Sequence, residues 1–262
     1  MRADHGTRIG YGVGCGIYPT STSPALAKLR IGADASTVFA TSGHECSQGI
    51  RTCIANALVE QLGADPNKLI INIRQTRAAP QHVTVGSWGT FSAVPVMTNA
   101  IAKLRARLDE LAAGRTVPDG FHAQLASFRR LYLEVEASYL GAGQNSAVLE
   151  ALRRYNYAID GPEFPDFVTM SFIAHFVEIR IAPRTGRLRM TRVVSVADCG
   201  RVVSPRTVPS QVISGVVWAF GAATRESTET DPQYGGFLNN DLADYVVPVS
   251  ADIGDISVEF VD

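Results

Sequence analysis

The spacing of apolar residues in the first half of the chain predicts a hairpin followed by two helices. Apolar-rich runs at residues 25–33 and 35–41 flank Ala33-Asp34 and predict two paired strands. Apolar positions then recur every three or four residues from Ile50 and stop at Gly63, as is typical of a helix with a glycine at its C-terminal end. A second helical stripe comprises Val94, Met97, Ile101, Leu104, Leu108 and Leu111.

The pattern changes along the middle and the second half of the chain. A helical period at Leu125, Phe128, Tyr132 and Val135 predicts one more helix, and residues 146–155 predict another. Two strands are expected at 168–182 and 187–197 and a last one at 256–261, while 9–18 should form a strand with glycine at every second position. Ser204-Pro205 predicts a helix start, with serine as the N-cap and proline in the first helical position.

These elements predict an α+β fold with mostly antiparallel sheets packed against helices in two layers. Strand pairs and helices are interspersed without a regular β-α-β alternation, which argues against a doubly wound parallel sheet. Because the sequence becomes polar and proline-containing after Gly114, we expect three modules. They are a first α/β module at 1–115, a helical connection at 116–165 and a second module at 166–262.

Composition excludes several classes of partner. The chain of 262 residues has a formal net charge of −1 and no basic block, so neither nucleic acid nor an anionic membrane surface is expected as a partner. No apolar run approaches the roughly 20 residues of a membrane span, and the N-terminus lacks the apolar core of a signal peptide. We therefore expect a cytoplasmic protein, or a periplasmic one exported together with a partner subunit. The four scattered cysteines are interpreted as reduced thiols rather than metal ligands.

Two polar, glycine-containing loops precede the predicted helices of the first half. Residues 43–52 lead into the helix that starts near Ile50, and residues 84–90 open the next one. The free N–H groups and the positive dipole end of a helix start favour an anionic or oxygen-rich ligand. Alternatives to ligand binding remain open at this point. His44 and Glu45 would then be solvated or capping groups, and residues 84–90 would be an ordinary Ser/Thr-rich helix cap.

Polar residues within apolar segments form a second set of candidates. Gln211 lies on the helix after Ser204, on a stripe with Gly215 and Ala219 whose small side chains would let another group approach the backbone. The alternative is that Gln211 bonds a neighbouring loop. His175 lies inside an apolar strand, and we interpret it as a hydrogen-bonded structural residue.

Several of these segments together resemble one family. The residues that carry the resemblance are Asp198-Cys199-Gly200-Arg201, Ser204-Pro205, Gln211, Gly215 and Glu226, followed by residues 239–245 and Pro248. Through these residues the chain resembles the molybdenum-binding large subunits of the xanthine dehydrogenase and aldehyde oxidase family. The sequence resembles in particular the bacterial three-subunit aldehyde oxidoreductases of that family. The resemblance implies the molybdopterin-binding fold of the xanthine dehydrogenase type.

The resemblance also implies which residues bind the cofactor. It places Cys46-Ser47-Gln48 against the pterin, with Ser47 where glycine is usual, and it places Gln211 within reach of the cofactor. It assigns the loop at 84–90 to the cofactor phosphates. The cofactor-binding residues expected there are Gly86, Ser87 and Gly89, the last standing where serine is common.

The function implied by the resemblance is that of a fragment of a molybdenum hydroxylase large subunit. The cofactor expected in the complete protein is molybdopterin, in its cytosine dinucleotide form. The implied partners are the remainder of the large subunit, an iron–sulfur subunit and an FAD subunit, with an aldehyde or a heterocycle as substrate. The family's Gly-Val-Gly-Glu motif, which carries the general base, is absent from the sequence. No catalytic residue is therefore assigned, and the chain alone is expected to be inactive. The alternative is a cofactor-free structural or assembly module.

Overall fold

The computed structural model describes residues 2–4, 6–20, 22–73, 75, 78–80, 84–156 and 168–261. Nine strands are found in this part of the chain: β1 (Arg2–Asp4), β2 (Thr7–Pro19), β3 (Ala25–Gly32), β4 (Thr37–Ala40), β5 (Leu69–Asn72), β6 (Tyr132–Tyr139), β7 (Met170–Ile181), β8 (Leu188–Asp198) and β9 (Ile253–Phe260). Its α-helices are α1 (Ile50–Leu62), α2 (Gly89–Ala112), α3 (Phe121–Ser127), α4 (Ser146–Arg153) and α5 (Val208–Thr224).

The chain divides into two compact units. The larger unit is Pro19–Thr169, and the smaller unit combines Met1–Tyr18 with Met170–Asp262. These bounds differ from the three modules expected from sequence. The N-terminal strand β2 belongs to the same sheet as β7, whereas β6 pairs along its whole length with β3. Pairing between strands distant in sequence therefore sets the division.

The larger unit is a four-stranded sheet covered by helices. Its strand order is β5-β4-β3-β6, with antiparallel β3–β4 and β3–β6 pairs. The predicted hairpin is thus confirmed, with Leu29, Ile31 and Phe39 fully buried. Helices α1 and α2 contribute the other half of this core through Ile50, Ile54, Leu58, Met97, Leu104 and Leu108. Each helix buries one apolar stripe, as its 3.6-residue period requires.

One predicted helix is wrong in its second half. The apolar residues from Leu125 to Val135 suggested a single helix, but α3 ends at Ser127 and β6 starts at Tyr132. Arg129 has a φ of 54°, in the left-handed region that interrupts a right-handed helix. In β6 the buried residues are Val135 and Ala137, the two-residue period of a strand.

The smaller unit is a five-stranded sheet, in the order β1-β2-β7-β8-β9, with helix α5 against it. The predicted β7–β8 hairpin is confirmed as an antiparallel pair. Val216 and Phe220 of α5 pack with Met190 and Val193 of β8 in a small buried cluster. The fold is thus α+β, with two sheets packed against helices. Each sheet nevertheless includes one parallel pair, β4–β5 and β8–β9.

Helix α5 starts later than the sequence suggested. Its N-cap is Thr207 and the proline in its first turn is Pro209, so Ser204 and Pro205 lie before the helix. The backbone carbonyl of Ser204 accepts hydrogen bonds from the N–H groups of Thr207 and Val208, both at 3.1 Å. Ser204 therefore closes a turn that leads into α5.

A buried carboxylate joins three segments of the smaller unit. Asp252 is 2% exposed, and its Oδ1 lies 2.6 Å from Arg225 Nη2 and 3.3 Å from Arg187 Nη2. Its Oδ2 accepts a hydrogen bond from the Val249 N–H at 3.2 Å. Burial alone would raise the pKa of Asp252, but this hydrogen bond and the two guanidinium groups outweigh burial and lower the pKa. The network fixes the end of α5 to the β7–β8 hairpin and to the turn before β9.

Candidate functional site

The two loops predicted to bind a ligand lie side by side in the larger unit. The hydroxyl of Thr84 accepts a hydrogen bond from the His44 N–H at 3.1 Å and lies 3.1 Å from His44 Nδ1. The starts of the two following helices are also close, since a Cβ added to Gly89 would lie 3.2 Å from Ile50 Cδ1. Glycine at position 89 therefore suits the contact between α1 and α2. The structure places residues 44–48 next to 84–89, two of the three predicted cofactor segments.

Glu45 caps helix α1. Its Oε1 accepts a hydrogen bond from the Gly49 N–H at 2.9 Å, and its Oε2 accepts one from the Arg51 N–H at 3.0 Å. Gly49 is the N-cap residue and Arg51 lies in the first turn, and backbone N–H groups at these positions have no partner within the helix. The capping role considered for Glu45 is therefore confirmed. This carboxylate occupies the position that an external anion would take at α1.

The segment Cys46-Ser47-Gln48 forms a tight turn before α1. The Gln48 side chain donates to the His44 carbonyl at 2.6 Å, and its Oε1 accepts a hydrogen bond from the Cys46 N–H. Ser47 has a φ of 69°, in the left-handed region where glycine costs least. Cys46 and Ser47 are exposed. The amide of Gln48 thus shapes the turn and leaves the other two residues at the surface.

The second loop has a similar left-handed turn at its tip. Gly86 and Ser87 have φ values of 62° and 60°. A Cβ on Gly86 would lie 3.0 Å from Trp88 Nε1, so the indole covers this glycine. Ser87 is exposed, and within the described residues its hydroxyl makes no hydrogen bond. Helix α2 has no side-chain cap at its N-cap residue, Trp88. This helix start therefore differs from that of α1, which Glu45 caps.

Sequence reasoning missed a buried polar cluster beside the start of α2. Ser92 Oγ donates to the Trp88 carbonyl at 2.8 Å and accepts a hydrogen bond from the Ser23 N–H at 3.0 Å. The Gln144 side chain donates to the Thr22 carbonyl from Nε2 at 2.8 Å, and its Oε1 accepts a hydrogen bond from the Gly141 N–H at 2.7 Å. Among the described residues, the buried hydroxyls of Thr22 and Ser23 have no hydrogen-bond partner. The one signal in the sequence is the run of hydroxyl residues just before the apolar strand β3.

The third predicted segment, Gln211, belongs to the smaller unit. Gln211, Gly215 and Ala219 of α5 are exposed, whereas Val216 and Phe220 are buried. A Cβ added to Gly215 would have no atom within 4 Å. That Gln48 and Gln211 converge on one ligand stays a prediction, because the two residues lie in different units.

His175 has the structural role expected from sequence. Its Nδ1 lies 2.8 Å from Ser195 Oγ on the neighbouring strand. Burial lowers the pKa of His175, because desolvation disfavours the imidazolium form. The bonded ring thus belongs to the β7–β8 pair. Among the described residues, no group of three or more His, Cys, Asp or Glu side chains is arranged to hold a metal ion. Nor does any described helix have the length and apolarity needed to cross a membrane.

Known proteins are similar to this chain in sequence. Residues 1–254 match the family described as molybdopterin cofactor-binding domain. The chain is 27% identical over 261 residues to the aldehyde oxidoreductase molybdenum-binding subunit PaoC of Escherichia coli (strain K12), covering 97% of this chain and 34% of PaoC.

Solved structures show the same fold at lower identity. A Cu,Mo-CO dehydrogenase superposes with a TM-score of 0.78 at 19% identity, covering 97% of this chain and 34% of that one. Quinoline 2-oxidoreductase from Pseudomonas putida 86 gives a TM-score of 0.74 at 20% identity, covering 98% and 35%. The chain thus spans about a third of the length of these proteins. From the family match over 254 of its residues, the chain belongs to the molybdopterin cofactor-binding domain family.

Proposed function

We propose that this chain is a piece of a molybdenum hydroxylase large subunit and that its adjoining loops, 44–48 and 84–89, hold part of the molybdopterin cofactor. The observation that carries the proposal is the direct contact between these loops through His44 and Thr84. Two segments assigned to one ligand by the family resemblance are neighbours in the structure. When bound, the cofactor supplies the redox-active metal of the reaction.

The residues of the larger unit suit a polar, phosphate-bearing ligand. The N-cap residue of α2, Trp88, provides no side-chain cap, and Ser87 offers a hydroxyl with no hydrogen bond among the described residues. Backbone N–H groups in a left-handed turn and at a helix start favour phosphate oxygens. The buried hydroxyls of Thr22 and Ser23 have no partner within the described ranges and thus leave further hydrogen-bonding capacity beside α2. In this proposal Gly86 and Ser87 bind phosphate, and the turn at Cys46-Ser47 contacts the pterin.

The finer assignments follow from the family resemblance. We propose that the nucleotide part is cytosine, as in a cytosine dinucleotide form, and that Gln211 completes the site from the smaller unit. A similar protein, PaoC, is described as the molybdenum-binding subunit of an aldehyde oxidoreductase. We accordingly propose that the chain works with the remainder of a large subunit and with iron–sulfur and FAD subunits on an aldehyde or a heterocycle.

The exposed thiol of Cys46 provides a test that does not depend on activity. The purified chain is incubated with molybdenum cofactor released from a denatured molybdoenzyme, and alkylation of each cysteine is followed by peptide mass spectrometry. We expect the cofactor to slow the alkylation of Cys46. The exposed thiol of Cys15, in the smaller unit, is the internal control and should react at the same rate with and without cofactor.

Two results would contradict the proposal. If the chain retains pterin while Cys46 reacts as fast as before, the cofactor binds away from this loop. If no pterin is retained at any ratio of cofactor to chain, the alternative of a cofactor-free structural or assembly module is favoured.

A further inference from the structure

The smaller unit contains a cavity that none of the predicted cofactor residues lines. It lies in the irregular segment between α5 and β9 and has a volume of about 430 Å³. Cavities that bind small molecules usually measure about 300–1,000 Å³, so this one is large enough for a single aromatic ring with substituents. The cavity is lined by Thr228, Phe237, Asn239, Asn240, Asp241, Leu242 and Tyr245.

The cavity has three apolar or aromatic lining residues, Phe237, Leu242 and Tyr245. Phe237 and Leu242 are 63% and 79% exposed, so a ligand would remove their surface from water. The Tyr245 hydroxyl donates to Glu226 Oε2 at 2.9 Å, and this hydrogen bond raises the pKa of Tyr245. With its hydroxyl engaged, Tyr245 offers mainly its ring to the cavity. Asn239 is buried and bonds the backbone of Ser227 and Glu229.

Three polar groups of the lining have unused hydrogen-bonding capacity. Within the described residues, the side chains of Thr228 and Asn240 form no hydrogen bond. Asp241 Oδ1 accepts hydrogen bonds from the N–H groups of Ala243 and Asp244, at 2.8 and 3.2 Å. The other oxygen, Oδ2, accepts none in this part of the structure. A ligand with N–H donors could therefore bind the carboxylate without disturbing the turn that it caps.

The charge of the segment decides which ligand the cavity suits. Residues 226–249 include five carboxylates and no lysine or arginine; the carboxylates are Glu226, Glu229, Asp231, Asp241 and Asp244. The neighbouring guanidinium of Arg225 is paired with the buried Asp252. Negative charge around an aromatic cavity attracts cations and repels phosphate, and a cation over an aromatic face gains further stabilisation.

We propose that this cavity is a binding site for planar organic cations with N–H donors, of the amidinium or aminopyridinium class. The ring lies between Phe237 and Tyr245, and its N–H groups donate to Asp241 Oδ2. Thr228 and Asn240 provide the remaining hydrogen bonds at the edge of the ring. The lining belongs to the smaller unit and includes none of the residues proposed to bind the cofactor, so cofactor binding and cation binding can be tested independently.

Three probes of nearly the same shape and different charge test the proposal: benzamidinium, neutral benzamide and anionic benzoate. Binding to the full chain is measured by ligand-observed NMR titration at low salt. We expect benzamidinium to bind at least about fivefold more tightly than benzamide, with benzoate weakest, and the preference to decrease as salt is added.

Matched variants locate the site. Asp241→Asn keeps an acceptor for the Ala243 and Asp244 N–H groups, so the turn should persist while the preference for the cation falls to about twofold or less. Asp244→Asn removes the same charge from an exposed residue that does not line the cavity, and should change the preference little. Leu242→Ala shortens an exposed side chain that lines the cavity and should weaken the binding of all three probes.

Equal affinity for the three probes would overturn the proposal, as would the absence of saturable binding. Equal effects of Asp241→Asn and Asp244→Asn would also overturn it, because binding would then reflect the general negative field of the segment rather than the cavity.

Discussion

The N-terminal cap of helix α1 gives a prediction that bears directly on the candidate site. Replacement of Glu45 by alanine removes the acceptors of the Gly49 and Arg51 N–H groups. Loss of an N-cap typically costs about 1 kcal/mol, and loss of a negative charge at a helix start costs about 0.3–1 kcal/mol. Because Ile50 and Ile54 of α1 are fully buried, fraying of the first turn would also disturb the core. We therefore expect Glu45→Ala to lower the free energy of unfolding by about 1.5–2 kcal/mol.

The assay is urea denaturation followed by circular dichroism at neutral pH. Glu45→Gln keeps one acceptor oxygen, so it should cost about half as much as Glu45→Ala. Asp109→Ala is the control, since Asp109 is an exposed carboxylate near the end of α2, and its loss should change stability by less than about 0.5 kcal/mol. If Glu45→Ala costs no more than Asp109→Ala, the cap does not stabilise α1, which would refute the reasoning.

Two further predictions concern stability. Asp252→Asn should cost about 3 kcal/mol at pH 7, because it removes the charge that pairs with Arg225 in a buried position. Because the pKa of Asp252 is lower in the folded protein, the charged carboxylate stabilises the fold fully above its unfolded-state pKa of 3.8. This stabilisation is lost as the pH falls through the lower folded-state pKa. In urea titrations, the difference in free energy of unfolding between Asp252→Asn and the wild type should therefore become smaller below about pH 4. A difference that stays constant with pH would contradict this. Ser87→Gly should raise stability by about 0.5 kcal/mol, because the left-handed backbone costs serine more than glycine. The control Ser127→Gly, in helix α3, should lower stability by about 0.5–1 kcal/mol, and the same sign for both glycine variants would contradict the strain argument.

Local periodicity predicted the elements whose pattern was long and regular. The stripe from Ile50 to Leu62 defined α1, because a buried helical face must repeat every three or four residues. The same rule failed between Leu125 and Val135, where apolar spacing continued across the left-handed turn at Arg129. Likewise, Ser204-Pro205 has the composition of a helix start, yet it forms the preceding turn.

Contacts between distant segments could not be predicted from local patterns. The parallel pairs β4–β5 and β8–β9, and the placement of β2 in the sheet of β7, depend on side chains far apart in sequence. At the candidate site, the family resemblance led to Cys46-Ser47-Gln48 and to Gly86-Ser87. No sequence motif indicated the buried hydroxyls of Thr22 and Ser23, because their burial depends on packing against α2 and the loop at 141–144.

The most direct test of the cofactor proposal measures bound pterin. The full chain is incubated with molybdenum cofactor released from a denatured molybdoenzyme and then gel-filtered, and the pterin and nucleotide are measured after oxidation and hydrolysis. We predict about one pterin per chain, with cytosine as the base, and a loss of at least about tenfold in retained pterin for Ser87→Asp, which places a carboxylate against the phosphate. The control Ser127→Asp, at an exposed position of helix α3, should retain pterin like the wild type. Absence of pterin from the wild-type chain, or equal retention by Ser87→Asp, would contradict the assignment of these loops to the cofactor.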